Sequence, residues 1–199
     1  GEVRTGIIMD QWENGQKPNK RPYIYFGDIL ANEYALDAQT GELIWKIKSD
    51  DHPNATRTAT SAKFEDILFI PISGLEVIPA FDDAYECCTF RGGLLAVEAS
   101  TGKTLWKKHS IPVPAKYSGK TSVGTRMFGP SGAPIWTSPD VDKRSRYVYI
   151  GTGEHYSTPA DDSSDAIFAY IICTGVVVCR RHTPAGAAWH LASMGKVCV

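Results

Sequence analysis

Short apolar runs alternate with Gly, Pro, Asn and Asp along this chain, and that punctuation predicts strands. YIYFGDILANEYALDA, from Tyr23 to Ala38, reads as two strands around a turn, and LIWKIK, Leu43 to Lys48, as a third. KFEDILFIPIS, Lys63 to Ser73, carries a Glu-Asp turn and then a continuous apolar strand. FRGGLLAVEA, from Phe90 to Ala99, is another strand, and APIWTSPDVD, RYVYIGTGE and DAIFAYI form a further set between Ala133 and Ile171. Residues 1–22 are polar and aperiodic, residues 50–60 and 75–88 read as loops, and residues 110–134, rich in Pro and Gly, read as one long structureless loop. No segment keeps a 3.6-residue period beyond about ten residues, so the pattern predicts an all-β protein.

One phrase recurs. ALDAQTGELIW occupies Ala35 to Trp45, AVEASTGKTLW occupies Ala96 to Trp106, and a degraded copy, AYIICTGVVVC, runs from Ala169 to Cys179. In the first two a strand leads to an acid, Asp37 or Glu98, whose carboxylate can accept backbone N–H bonds in a turn. Gly41 and Gly102 supply the positive φ of a tight reversal. The chain returns as a strand whose Trp can plug the gap between packed units. Each copy is therefore expected to be a β-hairpin with a large apolar plug. The glycines are 61 (41 to 102) and 73 (102 to 175) residues apart, which suits four-stranded propeller blades carrying long loops, since propeller repeats run to about 40–50 residues. The third copy has Ile171 in place of the acid and Cys179 in place of the Trp.

Composition narrows the field. The chain has 199 residues, 43% hydrophobic and 22% charged, as in soluble globular proteins. A net charge of −1 argues against nucleic acid or an anionic membrane surface as partner. ILFIPI and the run near Ile171 are far shorter than the ~20 apolar residues of a membrane span. The chain starts at Gly1 without a Met or a signal peptide, as expected of an interior segment or mature fragment. Its cysteines are Cys87, Cys88, Cys173, Cys179 and Cys198, without CxxC or CxxCH, so neither a zinc knuckle nor an attached c-type haem is encoded. The adjacent Cys87 and Cys88 are either two small buried hydrophobes or a vicinal disulfide, which requires an oxidising compartment.

The hairpin phrase, CCTFRGG at Cys87 to Gly93, and PSGAPIWTSPDVD followed by YIGTGEHYS together resemble the dehydrogenases that depend on pyrroloquinoline quinone (PQQ), closest to the polyvinyl-alcohol dehydrogenase-like branch. The resemblance covers residues 23–170 well and 171–193 poorly. It implies an eight-bladed propeller holding PQQ and calcium on its axis, of which residues 1–199 would form about three to four blades, with a poorly matching tail at 180–199. It also implies oxidation of an alcohol by hydride transfer to PQQ, a cytochrome c or quinone as electron acceptor, and a periplasmic or otherwise exported location.

PQQ is a planar tricarboxylate with an ortho-quinone. It calls for cations and N–H donors at its carboxylates, flat walls for its ring, and a hard cation beside its reactive carbonyl. The resemblance distributes these roles. Glu76, in ISGLE, and Glu154, in GTGE, would bind the cation, Glu154 being one methylene longer than the family's Asn or Asp. Trp136 would floor the PQQ ring, with Thr137 a polar contact beside it. Arg91 would meet the PQQ carboxylates or quinone oxygens. Within ATRTATSA, which also holds Arg57 and Thr60, Thr58 would offer a hydroxyl; Ser131 and Gly132 would offer backbone N–H groups; Cys87 and Cys88 would lie beside the cofactor. Glu76, Arg91, Trp136 and Glu154 should then converge on one rim.

Two departures stand out. In methanol-type quinoproteins the vicinal cysteines precede the Ser-Gly-x-Glu loop; here they follow it. The family's Thr-Pro stretch with an acidic or Asn residue beside a Trp, where its base lies, is matched only by HTPAGAAWHLAS, so His190 is the one candidate for a catalytic base. A non-catalytic propeller scaffold and an inactive, decayed quinoprotein are the alternatives. Three hairpins cannot close an eight-bladed ring, so the chain alone should not form a stable PQQ site.

Overall fold

The structure is a computed structural model that describes residues 2–10 and 22–182. Three antiparallel sheets follow one another along the chain. The first is a meander of β1 (Ile8–Met9), β2 (Tyr23–Gly27), β3 (Asn32–Asp37) and β4 (Leu43–Lys48). The second has β5 (Ala55–Thr56) and β6 (Ala62–Phe64) both paired to β7 (Ile67–Gly74), followed by β8 (Gly93–Glu98) and β9 (Thr104–His109). Between the second and third sheets come β10 (Lys116–Lys120), β11 (Arg126–Gly129) and β12 (Ser131–Gly132). The third sheet is β13 (Asp140–Asp142), β14 (Tyr147–Gly151), β16 (Ala166–Ile171) and β17 (Val177–His182), while β15 (His155–Ser157) leaves it to pair with β12. Among the described residues no helix is long and apolar enough to cross a membrane.

The sheets stack face to face, which explains the unbroken apolar run of β7. Side chains alternate across a strand. Leu68, Ile70 and Ile72 enter a core shared with Tyr25 and Trp45 of the first sheet. Phe69 enters the other core, with Trp106, Val148 and Phe168. β8 divides in the same way, Leu95 and Val97 to one core, Leu94 and Ala96 to the other. A sheet covered on both faces has no polar face to display.

The recurring phrase builds the joints between sheets. Trp45 donates its indole N–H to the Ala99 carbonyl at 2.9 Å, and Trp106 does the same to the Ile172 carbonyl at 2.9 Å. Each tryptophan thus reaches the turn of the next hairpin. A Cβ on Gly102 would stand 2.9 Å from the Trp45 ring, and one on Gly175 would stand 2.6 Å from the Trp106 ring. These glycines, at φ +74 and +64, therefore serve twice: they make the reversal, and they leave room for the preceding plug.

The turn acid behaves as expected in the first copy, where Asp37 Oδ1 accepts the Gln39 and Thr40 amides at 2.8 and 3.0 Å. The Glu98 carboxylate instead takes the Thr101 hydroxyl. The third turn closes without an acid, because the Gly175 amide still reaches the Ile171 carbonyl at 2.8 Å, as Gly41 reaches Asp37 and Gly102 reaches Glu98.

Residues 110–134 are not structureless. They contain the hairpin β10–β11, paired from Lys116↔Gly129 to Lys120↔Arg126, with a bulge between Tyr117 and Gly119. Thr125 at the turn and Gly119 at the bulge interrupt the alternation that marks a strand.

Candidate functional site

Strand direction decides where the unexplained residues gather. All three Thr-Gly turns lie at one end of the sheets, beside Tyr23, Ile67 and Tyr147. Glu76 follows the opposite end of β7, Arg91 precedes the opposite end of β8, and Glu154 follows the opposite end of β14. At that far end three segments lie side by side. A parallel bridge joins Arg91 to Gly132. Gly132 donates to the Phe90 carbonyl and accepts from the Gly92 amide, both at 2.8 Å. Ala133 donates to the Glu154 carbonyl and Gly153 to the Pro134 carbonyl, again at 2.8 Å. This ladder brings Arg91, Gly132, Trp136, Thr137 and Glu154 onto one rim.

Trp136 lies against Gly153, where a Cβ would come within 2.6 Å of the indole. It remains 43% exposed, so one wall of the ring is covered and the rest is open. Thr137 Oγ1 contacts the amide and the carbonyl of Gly151 at 3.3 Å each. Half-buried Arg91 sends one guanidinium N–H to the Ile111 carbonyl at 3.2 Å. Ser131 shares a 2.6 Å hydrogen bond with Ser157. The hydroxyls of Thr58 and Ser73 are buried without a hydrogen-bond partner.

Glu76 is 1% exposed. Its Oε2 accepts the Thr89 amide at 2.9 Å and the Phe90 amide at 2.7 Å. Its Oε1 has longer contacts, to the Thr89 amide at 3.1 Å and the Tyr85 hydroxyl at 3.2 Å, and His52 Nε2 stands 3.8 Å away. Tyr156 stands within the electrostatic reach of both candidate carboxylates. Its hydroxyl donates to the Gly74 carbonyl at 2.8 Å, and its ring stacks on Phe90. Burial pushes its phenol well above the ordinary range, and the charges of Glu154 and Glu76 push it further. Among the described residues no three His, Cys, Asp or Glu side chains converge on one point.

Cys87 and Cys88 form a disulfide across a cis peptide bond, which resolves the sequence alternatives in favour of the vicinal bond. Cys88 Sγ lies 3.9 Å from the backbone carbonyl of Tyr156. Arg57 takes no place on the rim. It is fully buried, paired to Glu33 at 2.9 Å, and bonded to Ser61 and the Pro71 carbonyl. Thr60 accepts the Gly6 amide at 2.9 Å. His190 lies outside the described residues. Sequence patterns do not single out Tyr85 or Tyr156; for Ser73 the signal was present, since it stands in the same ISGLE phrase as Glu76.

A charged cluster of Asp50, Lys107 and His109 lies beside Arg91. Lys107 Nζ meets Asp50 at 2.6 Å. Burial raises the Asp50 carboxyl, but the hydrogen bond from Lys107, the His52 amide and the charges of Lys107 and His109 together hold it below its ordinary value. His109 is lowered by burial and then by the charges of Arg91 and Lys107. Both folded values are depressed, so both groups add stability that is present above their unfolded values and lost as pH falls. The urea midpoint should fall as pH drops below about 6.5, where the unfolded histidine takes up a proton that the folded His109 resists, and again below about 4, the unfolded aspartate's value. His109→Gln should flatten the first step and Asp50→Asn the second. Midpoints measured from pH 3 to 8 check this.

No protein-family model matches the chain. It is 36% identical over 177 residues to a polyvinylalcohol dehydrogenase of Sphingopyxis sp., covering 89% of the chain and 27% of that protein. It is 39% identical over 157 residues to one of a Pseudomonas species, covering 77% and 24%. The chain thus spans about a quarter of the length of these relatives. Among solved structures, a quinohemoprotein alcohol dehydrogenase of Pseudomonas putida superposes with a TM-score of 0.61 at 23% identity, over 81% of this chain and 25% of that one. A europium-containing methanol dehydrogenase superposes at 0.57 and 21%, over 83% and 30%. These two likenesses concern the fold, and they match the stacked sheets to quinoprotein propeller blades. Joined to the sequence identity with the polyvinylalcohol dehydrogenases, they show that this chain belongs to the PQQ-dependent alcohol dehydrogenase family.

Proposed function

We propose that this chain forms part of the cofactor-binding rim of an alcohol dehydrogenase that uses PQQ and calcium. The observation that carries the reading is the ladder joining residues 89–92, 131–136 and 151–156, which gathers a flat indole, a guanidinium and a carboxylate at the end of the sheets opposite the Thr-Gly turns. PQQ would supply the quinone that accepts hydride, and calcium the Lewis acid beside it.

The residues present suit such a guest. Trp136 offers a supported aromatic face, and Arg91 has guanidinium N–H groups beyond the one given to Ile111. The buried, unpartnered hydroxyls of Thr58 and Ser73 are polar atoms in want of an acceptor or donor. Gly132 contributes no free N–H, contrary to the sequence expectation, because its amide is given to the Phe90 carbonyl; at φ +102 it lets the segments of Phe90 and Glu154 pack closely. Thr137 and the disulfide Cys87–Cys88 line the same region. Glu76 would ligate calcium through the looser Oε1 while Oε2 keeps its amides, in keeping with the rule that ligating carboxylates are themselves hydrogen-bonded. Glu154 would be the second ligand. In this reading the chain contributes three blades of an eight-bladed ring, its substrate is an alcohol of polymeric or secondary type, and its electrons pass to a cytochrome c or a quinone. The vicinal disulfide supports an exported location, periplasmic in a two-membrane cell.

The test is a transplant. This chain replaces the matching segment of the Sphingopyxis polyvinylalcohol dehydrogenase, and PQQ binding and dye-linked oxidation of an alcohol panel are measured. The chimera is expected to bind PQQ in the presence of calcium, whereas the 199-residue chain alone does not bind it stoichiometrically. Arg91→Ala and Trp136→Ala should each weaken PQQ binding about tenfold or more, the loss expected for a charged hydrogen bond or a buried aromatic contact. A folded chimera that binds no PQQ overturns the reading.

A further inference from the structure

Glu76 has more to do than offer one oxygen to a cation. Oε2 takes the two shortest bonds of the carboxylate, from the amides of Thr89 and Phe90. These amides immediately follow Cys87–Cys88 and immediately precede Arg91. Neither has a backbone acceptor: the ladder at this point uses the Phe90 carbonyl, not its amide. The segment's other side is held independently. Cys88 donates to the Phe128 carbonyl at 3.2 Å, Phe128 donates to the Cys87 carbonyl at 2.6 Å, and Arg126 grips Glu86 with two bonds of 2.8 and 3.0 Å. The hairpin β10–β11 therefore fixes the disulfide end, and Glu76 fixes the end that leads to Arg91.

We infer that Glu76 is a positioning residue, whose buried carboxylate locks the Cys87–Arg91 segment through the Thr89 and Phe90 amides and thereby sets Arg91 on the rim. A charged acceptor is well suited to this, since hydrogen bonds to an ionised group are about twice as strong as neutral ones. Gly74 completes the lock from below, because a Cβ there would collide with the Phe90 ring at 2.6 Å.

The experiment uses the 199-residue chain and neither PQQ nor calcium, so its failure and that of the cofactor reading are separate results. Amide hydrogen exchange is followed by NMR or by fragmentation mass spectrometry. In the native chain the Thr89 amide, on an exposed residue outside any strand, is expected to be protected. In Glu76→Gln, which keeps the side-chain size and loses the charge, exchange at Thr89 and Phe90 should rise about tenfold or more, while Leu68 and Val97 in the core stay unchanged. Arg91 should react faster with phenylglyoxal, while reduction of Cys87–Cys88 by a water-soluble phosphine, its end being held by the hairpin β10–β11, should keep the native rate. Tyr85→Phe, which removes the hydroxyl's bonds with Oε1 and with Asn54 but neither amide bond to Oε2, should leave all three readouts at native values. An unprotected Thr89 amide in the native chain overturns the inference whether or not the Gln variant folds. So does a folded Gln variant with native exchange and native Arg91 reactivity.

Discussion

Arg57→Ala is expected to destabilise the chain by about 3–5 kcal/mol, the cost of stranding a buried charge. Arg57 and Glu33 are both fully buried. Glu33 belongs to the first sheet, and Arg57 follows β5 of the second. One guanidinium nitrogen and then a second meet Glu33 Oε2 at 3.0 and 2.9 Å, and Ser61 bridges Arg57 to Glu33 Oε1 with two bonds of 2.7 Å. The remaining guanidinium nitrogen is turned to the Pro71 carbonyl. Removing Arg57 leaves a carboxylate with one hydroxyl for company. Removing Glu33 leaves a guanidinium with a carbonyl and a hydroxyl. The double variant Arg57→Ala/Glu33→Ala should cost clearly less than the sum of the singles, because neither charge is then stranded. Urea unfolding of the four proteins gives the cycle, and additive losses would contradict the pairing.

Trp106→Ala should cost a similar amount, about 3–5 kcal/mol, as large-to-small changes of buried aromatics do. Its ring lies between Phe69 of its own sheet and Tyr170 of the next, at centroid distances of 6.0 and 6.1 Å. It occupies the space above Gly175 that a side chain would otherwise fill. The loss should fall on the joint between the second and third sheets, so near-UV dichroism from Tyr170 should change with it. Trp106→Phe should recover most of the packing and leave the Ile172 carbonyl without its donor, a loss of about 1–3 kcal/mol. Equal midpoints for native and Trp106→Ala proteins would remove the plug from the account of this fold.

The two variants divide the fold by how far each could be read in advance. Trp106 is part of a phrase whose rules are local: an acid or its substitute, a glycine with positive φ, and a tryptophan four residues on. The third copy shows which of those parts is indispensable. It lacks the acid and the Trp, yet its hairpin forms, because the closing bond joins two backbone groups and needs only Gly175 at the reversal. Arg57 stands in a stretch whose resemblance pointed to the cofactor, and Thr58 beside it keeps a hydroxyl to offer. Arg57 itself is spent on Glu33, a partner that no spacing rule announces.

Glu76 shows the same boundary within the site. Its phrase marked it as a carboxylate with a role. Its partners are the amides of Thr89 and Phe90, and every residue but proline carries such an amide. Nothing in the letters at 89 and 90 could mark them as donors to position 76.

By itself, then, the sequence determined the strands, the turn at each Thr-Gly, the plugs at Trp45 and Trp106, the blade architecture and the family. Strand alternation, glycine conformation and aromatic bulk act over a few residues and leave their trace in composition and spacing. The tertiary structure alone decided which glutamate pairs with Arg57, that residues 116–129 fold back as a hairpin against the disulfide, and that Glu76 faces backbone amides rather than open solvent. Those outcomes depend on which ends of separate sheets are brought level when the sheets stack, and stacking is driven by apolar area that carries no record of the polar groups it carries into place.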